Sequence, residues 1–131
     1  MANFSGTYKN DNNENLDAFF SQLGMNKMMR SIAVKGRPTM EVRVEGDEWT
    51  ITISSSLKVV RWNFTLGKEV EVEGVQGKGK VVFTLEGNVL TQSPRGEGST
   101  TSVRTFTPEG VDLKLTHIPS DTVAYRHFKR Q

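Results

Sequence analysis

The chain has no cysteine, which excludes disulfide staples and thiol catalysis. Its two histidines, His117 and His127, belong to no spaced ligand cluster, and this argues against a structural zinc site. No apolar run is long enough to span a bilayer, and Met1–Asn10 carries no charged-then-apolar signal segment. Aromatic residues make up 8% of the chain and the formal net charge is only +2, too mild for a dedicated nucleic-acid binder. These absences predict a cytoplasmic chain without metal or cofactor. At 131 residues it is long enough for one domain with a real core and too short for two.

What is present changes period along the chain. Phe4-Ser5-Gly6-Thr7-Tyr8 reads as a short strand, and a polar break over Asn10–Asn13 follows. Leu16, Phe19, Phe20 and Leu23 then recur at the spacing of one helical face, with Asn13 as the expected N-cap and Gly24 as the stop. Asn26 is placed to cap a second helix carrying Met28, Met29, Ile32 and Ala33, which ends near Gly36. The pair is a helix-turn-helix in geometry; a DNA-reading role is poorly supported, because Lys27 and Arg30 are accompanied by little that reads base edges.

Beyond Pro38 the period is two. Met40, Val42 and Val44 alternate with charged residues, Gly46-Asp47 turns the chain, and Trp49, Ile51 and Ile53 alternate with threonines. Further strands are expected at Val59–Thr65, Glu69–Glu73, Gly79–Leu85, Asn88–Ser93, Thr100–Thr107, Val111–Ile118 and Val123–Lys129, separated by turn-forming residues. With the N-terminal strand this makes ten, and short connections imply an antiparallel meander. Such a sheet curls, and closure into a barrel removes its edges. A ten-stranded barrel is too wide for ordinary side chains to fill, so an internal, partly hydrated cavity is expected.

The C-terminal run Val123-Ala124-Tyr125-Arg126-His127-Phe128-Lys129-Arg130 places Ala124, Arg126 and Phe128 on one strand face. Either this is a surface strand with scattered charges, or Arg126 is buried and needs an anion or a hydrogen-bond network. His117 shares strand parity with Leu113 and Leu115. It therefore either faces inward, towards a ligand head group or its water, or has a purely structural or exposed role.

The opening Asn3-Phe4-Ser5-Gly6-Thr7-Tyr8, the run from Leu23 to Ala33, the turn Phe64-Thr65-Leu66-Gly67-Lys68-Glu69 and the ending Arg126-x-Phe128 together resemble the intracellular lipid-binding proteins. This family comprises the fatty-acid-binding and cellular retinoid-binding proteins. The resemblance implies an all-β, lipocalin-like fold over residues 1–131: a ten-stranded β-clam capped by a helical lid at about 14–36. It implies a ligand carboxylate held by two arginines and a tyrosine, which fall on Arg104, Arg126 and Phe128, so the tyrosine hydroxyl is missing. Arginine at position 104, where the family's retinol binders carry glutamine, points to an acid. Phe19, Met40, Ile51, Ile53 and Leu115 are then expected along the ligand tail, and Met28 and Leu57 at the portal.

The reading that follows is a monomeric carrier of a long-chain fatty acid or, alternatively, retinoic acid. Lys27, Arg30, Lys35 and Arg37 make the lid basic, either as a solvated face or as a transient contact for anionic membranes. An enzyme would need a nucleophile–base pair or a metal set, and the sequence offers neither. A nucleic-acid or protein-interaction module would leave the paired arginines without purpose.

Overall fold

The computed structural model describes residues 4–56, 58–74, 77–96 and 98–131. Ten strands and two helices follow in the order β1 (Gly6–Glu14), α1 (Leu16–Gln22), α2 (Lys27–Lys35), β2 (Thr39–Glu45), β3 (Glu48–Ser54), β4 (Val59–Thr65), β5 (Glu69–Gly74), β6 (Gly77–Glu86), β7 (Val89–Pro94), β8 (Thr100–Phe106), β9 (Gly110–His117) and β10 (Thr122–Arg130). One antiparallel sheet contains them all in the order β4-β3-β2-β1-β10-β9-β8-β7-β6-β5, so the first and last strands meet near its centre. Beyond the last ladder pair, the Gln131 amide donates to the Thr7 carbonyl at 2.9 Å. The ten strands form a nearly closed barrel. No ladder joins its two edges, β4 and β5, among the described residues. They are bridged instead by Trp62 Nε1 donating to the Glu73 carbonyl at 3.0 Å and by Lys58 Nζ on the Glu73 carboxylate at 2.8 Å.

Alternation assigns the inner face as the period-two pattern predicts. Met40 and Val42 on β2, Trp49 and Ile51 on β3, Trp62 and Phe64 on β4 and Val111 and Leu113 on β9 are buried, while their charged neighbours face out. Aromatic rings gather at one end of the barrel. Phe64 and Phe83 stack at 3.7 Å between centroids, Trp49 lies 6.0 Å from Phe64, and Phe4 touches both Trp49 and Phe106 at 5.1 Å. The other end is covered by α1, whose Leu16, Phe19 and Phe20 pack on Ala124 of β10, with Leu115 of β9 against the same cluster.

The start of the lid differs from the expectation. Asn13 is not a helix cap: β1 runs on through the whole polar stretch to Glu14, and Asn15 stands at the head of α1 in the left-handed region, with φ 56°. Asparagine tolerates that conformation, and its Nδ2 is anchored on the Val123 carbonyl at 2.8 Å. Tertiary partners explain the longer strand, because Asn10 and Asn13 accept hydrogen bonds inside the barrel that the isolated sequence does not display. The second helix follows the reading: Asn26 Oδ1 accepts from the Met29 amide at 2.9 Å, and the helix ends at Lys35 before Gly36.

Candidate functional site

Register places the two arginines in one row. Arg104 of β8 and Arg126 of β10 both pair with Leu113 of β9, so their backbones stand two strand spacings apart, about 10 Å. The row lies between the aromatic end, represented by Phe106, Val111 and Phe128, and the helix-covered end, represented by Leu115 and Ala124. Leu90 and Leu113 flank Arg104 in the ladder, and polar side chains lie a step away: Gln92 pairs with Ser102, and His117 stands two residues beyond Leu115 on β9.

Arg104 is 2% exposed. Its Nη1 donates to Gln92 Oε1 at 3.1 Å, its Cζ lies 5.4 Å from the Trp62 ring centroid, and among the described residues its buried Nε has no hydrogen-bond partner. Desolvation pulls its pKa down to about 10. Arg126 donates from Nε to Asn13 Oδ1 at 3.0 Å and from Nη2 to Asn10 Oδ1 at 3.3 Å, and its Cζ stands 5.8 Å from the Phe128 ring. Burial, and then the charge of Arg37, bring it to about 10 as well. Both guanidiniums are charged at neutral pH, and among the described residues no ion pair reaches either. Two cations thus share an inward face with neutral partners, an arrangement suited to receiving an anion.

The other predicted positions are distributed around this row. Phe128 is buried with its ring beside Arg126, and it offers no hydroxyl donor. Met40 and Ile51 are buried in the main core, Ile53 is partly buried against it, and Leu115 touches both core clusters. Phe19 packs under the lid, 5.9 Å from the Phe20 ring. Met28 is 74% exposed, so intrahelical packing does not account for it. His117 is buried, with Nδ1 2.7 Å from Ser120 Oγ. Leu57 lies outside the described residues. Of the basic lid residues, Arg30 is turned back onto Asp17 at 3.0 Å and the Met25 carbonyl at 2.8 Å, and Arg37 reaches Asn10 Oδ1 at 3.3 Å.

Sequence reasoning missed Asn10, Asn13, Gln92 and Trp62 as neighbours of the arginines. Gln92 carried a signal, since it shares parity with the inward Leu90. Asn10 likewise continues the parity of Tyr8. Asn13 did not, for a reason that lies in the backbone of β1.

The lipocalin / cytosolic fatty-acid binding protein family model matches residues 1–125. The chain belongs to that family. It is 39% identical to a fatty acid-binding protein of Tyrophagus putrescentiae and 34% identical to human cellular retinoic acid-binding protein 2, in each case over the full length of both chains. Among solved structures, a fatty acid-binding protein from Drosophila melanogaster brain tissue superimposes with a TM-score of 0.88 at 36% identity, covering 97% of this chain and 99% of that one. The family and these relatives are lipid-binding carriers and not enzymes. Among the described residues no helix is long and apolar enough to cross a membrane.

Proposed function

We propose that the protein is a cytoplasmic, monomeric carrier that reversibly binds a long-chain fatty acid inside the barrel, with the carboxylate between Arg104 and Arg126. The observation that carries this reading is the buried Arg104, whose Nε lacks a partner and whose charge lacks a counter-ion among the described residues. Guanidinium offers paired donors that match a carboxylate, and charge-assisted bonds of this kind are about twice as strong as neutral ones. The tail supplies most of the affinity: at about 0.8 kcal/mol per buried methylene, a long acyl chain contributes on the order of 10 kcal/mol before entropic costs. It runs from the arginine row past Leu115, Ile53, Met40 and Ile51 towards Phe19 and the lid. Phe128 removes one hydroxyl donor, which leaves the head group to the two cations and neighbouring polar groups.

Retinoic acid is the second reading, favoured by the full-length similarity to a retinoic acid-binding relative. The lid supports delivery at anionic membranes, because Met28, Met29 and Ile32 are exposed on the helix that also carries Lys27 and Lys35. Calorimetric titration of delipidated protein with oleate, retinoic acid and retinol, repeated on Arg126→Gln, tests the proposal. One acid is expected to bind near one to one, retinol weakly, and the variant to lose enthalpy and affinity for the acid. Equal binding of retinol and both acids, untouched by the substitution, refutes the head-group assignment.

A further inference from the structure

Asn10 and Asn13 lie three residues apart, a spacing that puts side chains on opposite faces of a regular strand. Here both reach Arg126. The cause is a bulge: the β1–β10 register shifts between Asn10 and Asn12, so Asp11 is the extra residue and the parity of everything after it is reversed. The bulge also sorts charge. Asp11, the one acid in the run Asn10–Asn13, is turned to the outer face, where its Oδ1 lies 2.6 Å from His127 Nδ1. The two neutral amides are kept inside.

They occupy a defined part of the guanidinium. Nε and Nη2 form the side-on edge of arginine, an edge that can grip both oxygens of a carboxylate. In this protein Asn13 Oδ1 takes Nε and Asn10 Oδ1 takes Nη2. The acceptors are themselves fixed. Asn10 is 2% exposed, and its Nδ2 donates to the His127 carbonyl at 2.9 Å, to Asn13 Oδ1 at 3.0 Å and to the Asn12 carbonyl at 3.2 Å. The same Asn10 side chain accepts from Arg37 Nη1 at 3.3 Å through its Oδ1, drawing a second cation towards the site.

We infer that Asn10 and Asn13 are positioning residues that imitate a carboxylate without its charge, fixing the plane of Arg126 while leaving its positive charge uncompensated for the acid head group. The inference rests on the proposed binding of a carboxylate at Arg126. The end of the guanidinium with no hydrogen-bond partner among the described residues, Nη1 with the remaining hydrogen of Nη2, is the edge left to the ligand. An aspartate at position 13 would hold Arg126 as well or better and would cancel the charge that selects an acid. At position 13 the side chain serves through its oxygen, so exchanging asparagine for the isosteric aspartate changes the charge and keeps the acceptor, whereas at position 10 it would also remove the Nδ2 donor.

Asn13→Asp separates charge from scaffold, since it keeps the acceptor for both Arg126 Nε and Asn10 Nδ2. Delipidated variant and wild type are titrated with oleate and with oleyl alcohol, and their unfolding is followed in parallel. The expected result is a loss of about tenfold or more in oleate affinity, alcohol affinity within about twofold, and unfolding no earlier than in wild type. Asn13→Ala, which removes the acceptor and adds no charge, should cost oleate only about threefold and leave the alcohol unchanged. Unchanged oleate affinity in Asn13→Asp, with Arg126→Gln still losing it, overturns this inference and spares the proposed function. Unchanged oleate affinity in Arg126→Gln overturns the head-group reading itself.

Discussion

Replacing Arg104 with methionine should stabilise the delipidated protein and impair acid binding, opposite effects from one side chain. Burial draws the Arg104 guanidinium down to about 10, and at about 1.4 kcal/mol per tenfold that corresponds to about 3 kcal/mol of cost for keeping the charge inside. The bond to Gln92 returns about 1.5 kcal/mol and the contact with the Trp62 face about 1 kcal/mol. These returns fall short of the cost, so a gain on the order of 1 kcal/mol is expected for Arg104→Met, because the unbranched apolar side chain introduced fills much of the same space. In a domain of this size it appears as a rise in Tm of about 2–5 °C. The assay is denaturant and thermal unfolding of delipidated protein, repeated with saturating oleate. Wild type should gain more from the ligand than the variant, because stabilisation of the native state by a ligand grows with its affinity. A delipidated variant less stable than wild type by about 1 kcal/mol or more, on the scale of about 3 kcal/mol just worked out, would show that the buried cation is already compensated and would refute the reasoning.

Two further outcomes follow from the same geometry. Since burial sets both Arg104 and Arg126 at about 10, oleate affinity should be flat from about pH 6 to about pH 9, weaken as pH rises through about 10 where the cations discharge, and weaken again near about pH 4–5 where the ligand carboxylate takes up its proton; a titration series in pH checks it. Gly110→Ala should destabilise the protein by about 1–3 kcal/mol in denaturant unfolding, because a Cβ there would meet the backbone carbonyl of Phe128 directly, and backbone on a central strand has little room to retreat.

Much of this architecture was legible because the barrel is a nearest-neighbour meander. Every strand from Val59 onward announced itself by alternation and by the turn residues between, and Val59–Thr65 coincides with the predicted span. The two arginines were singled out by the family resemblance; parity adds only that Arg104 shares a face with Ser102 and Phe106, and Arg126 with Ala124 and Phe128, without saying which face is inward. The failure came at Asn10–Glu14. A run of asparagines reads as a loop or cap because its side chains compete for local backbone groups, and no local pattern reveals that those side chains will be claimed by an arginine more than a hundred positions away. Bulges share this property, since they are fixed by the partner strand as much as by the strand that bulges. The environment of Arg104 was hidden similarly: Trp62 on β4 is four strands removed from β8 through the open edge, and only curvature of the whole sheet brings its ring over the guanidinium.

The meeting of β1 with β10 near the middle of the sheet has a consequence for the order in which the molecule comes into being. During synthesis the chain emerges with two half-shells, β1 to β4 and β5 to β9, that share no strand ladder until the final strand is available. That strand pairs residues at the greatest separation the chain contains, the kind of contact that forms late and slowly. It also carries Arg126, while the acceptors waiting for that residue are among the earliest made. A nascent chain therefore carries apolar inner faces before it has both cations of the arginine row, and the completed row and the joined sheet arrive in a single event, when the last nine-residue strand zips the two halves together.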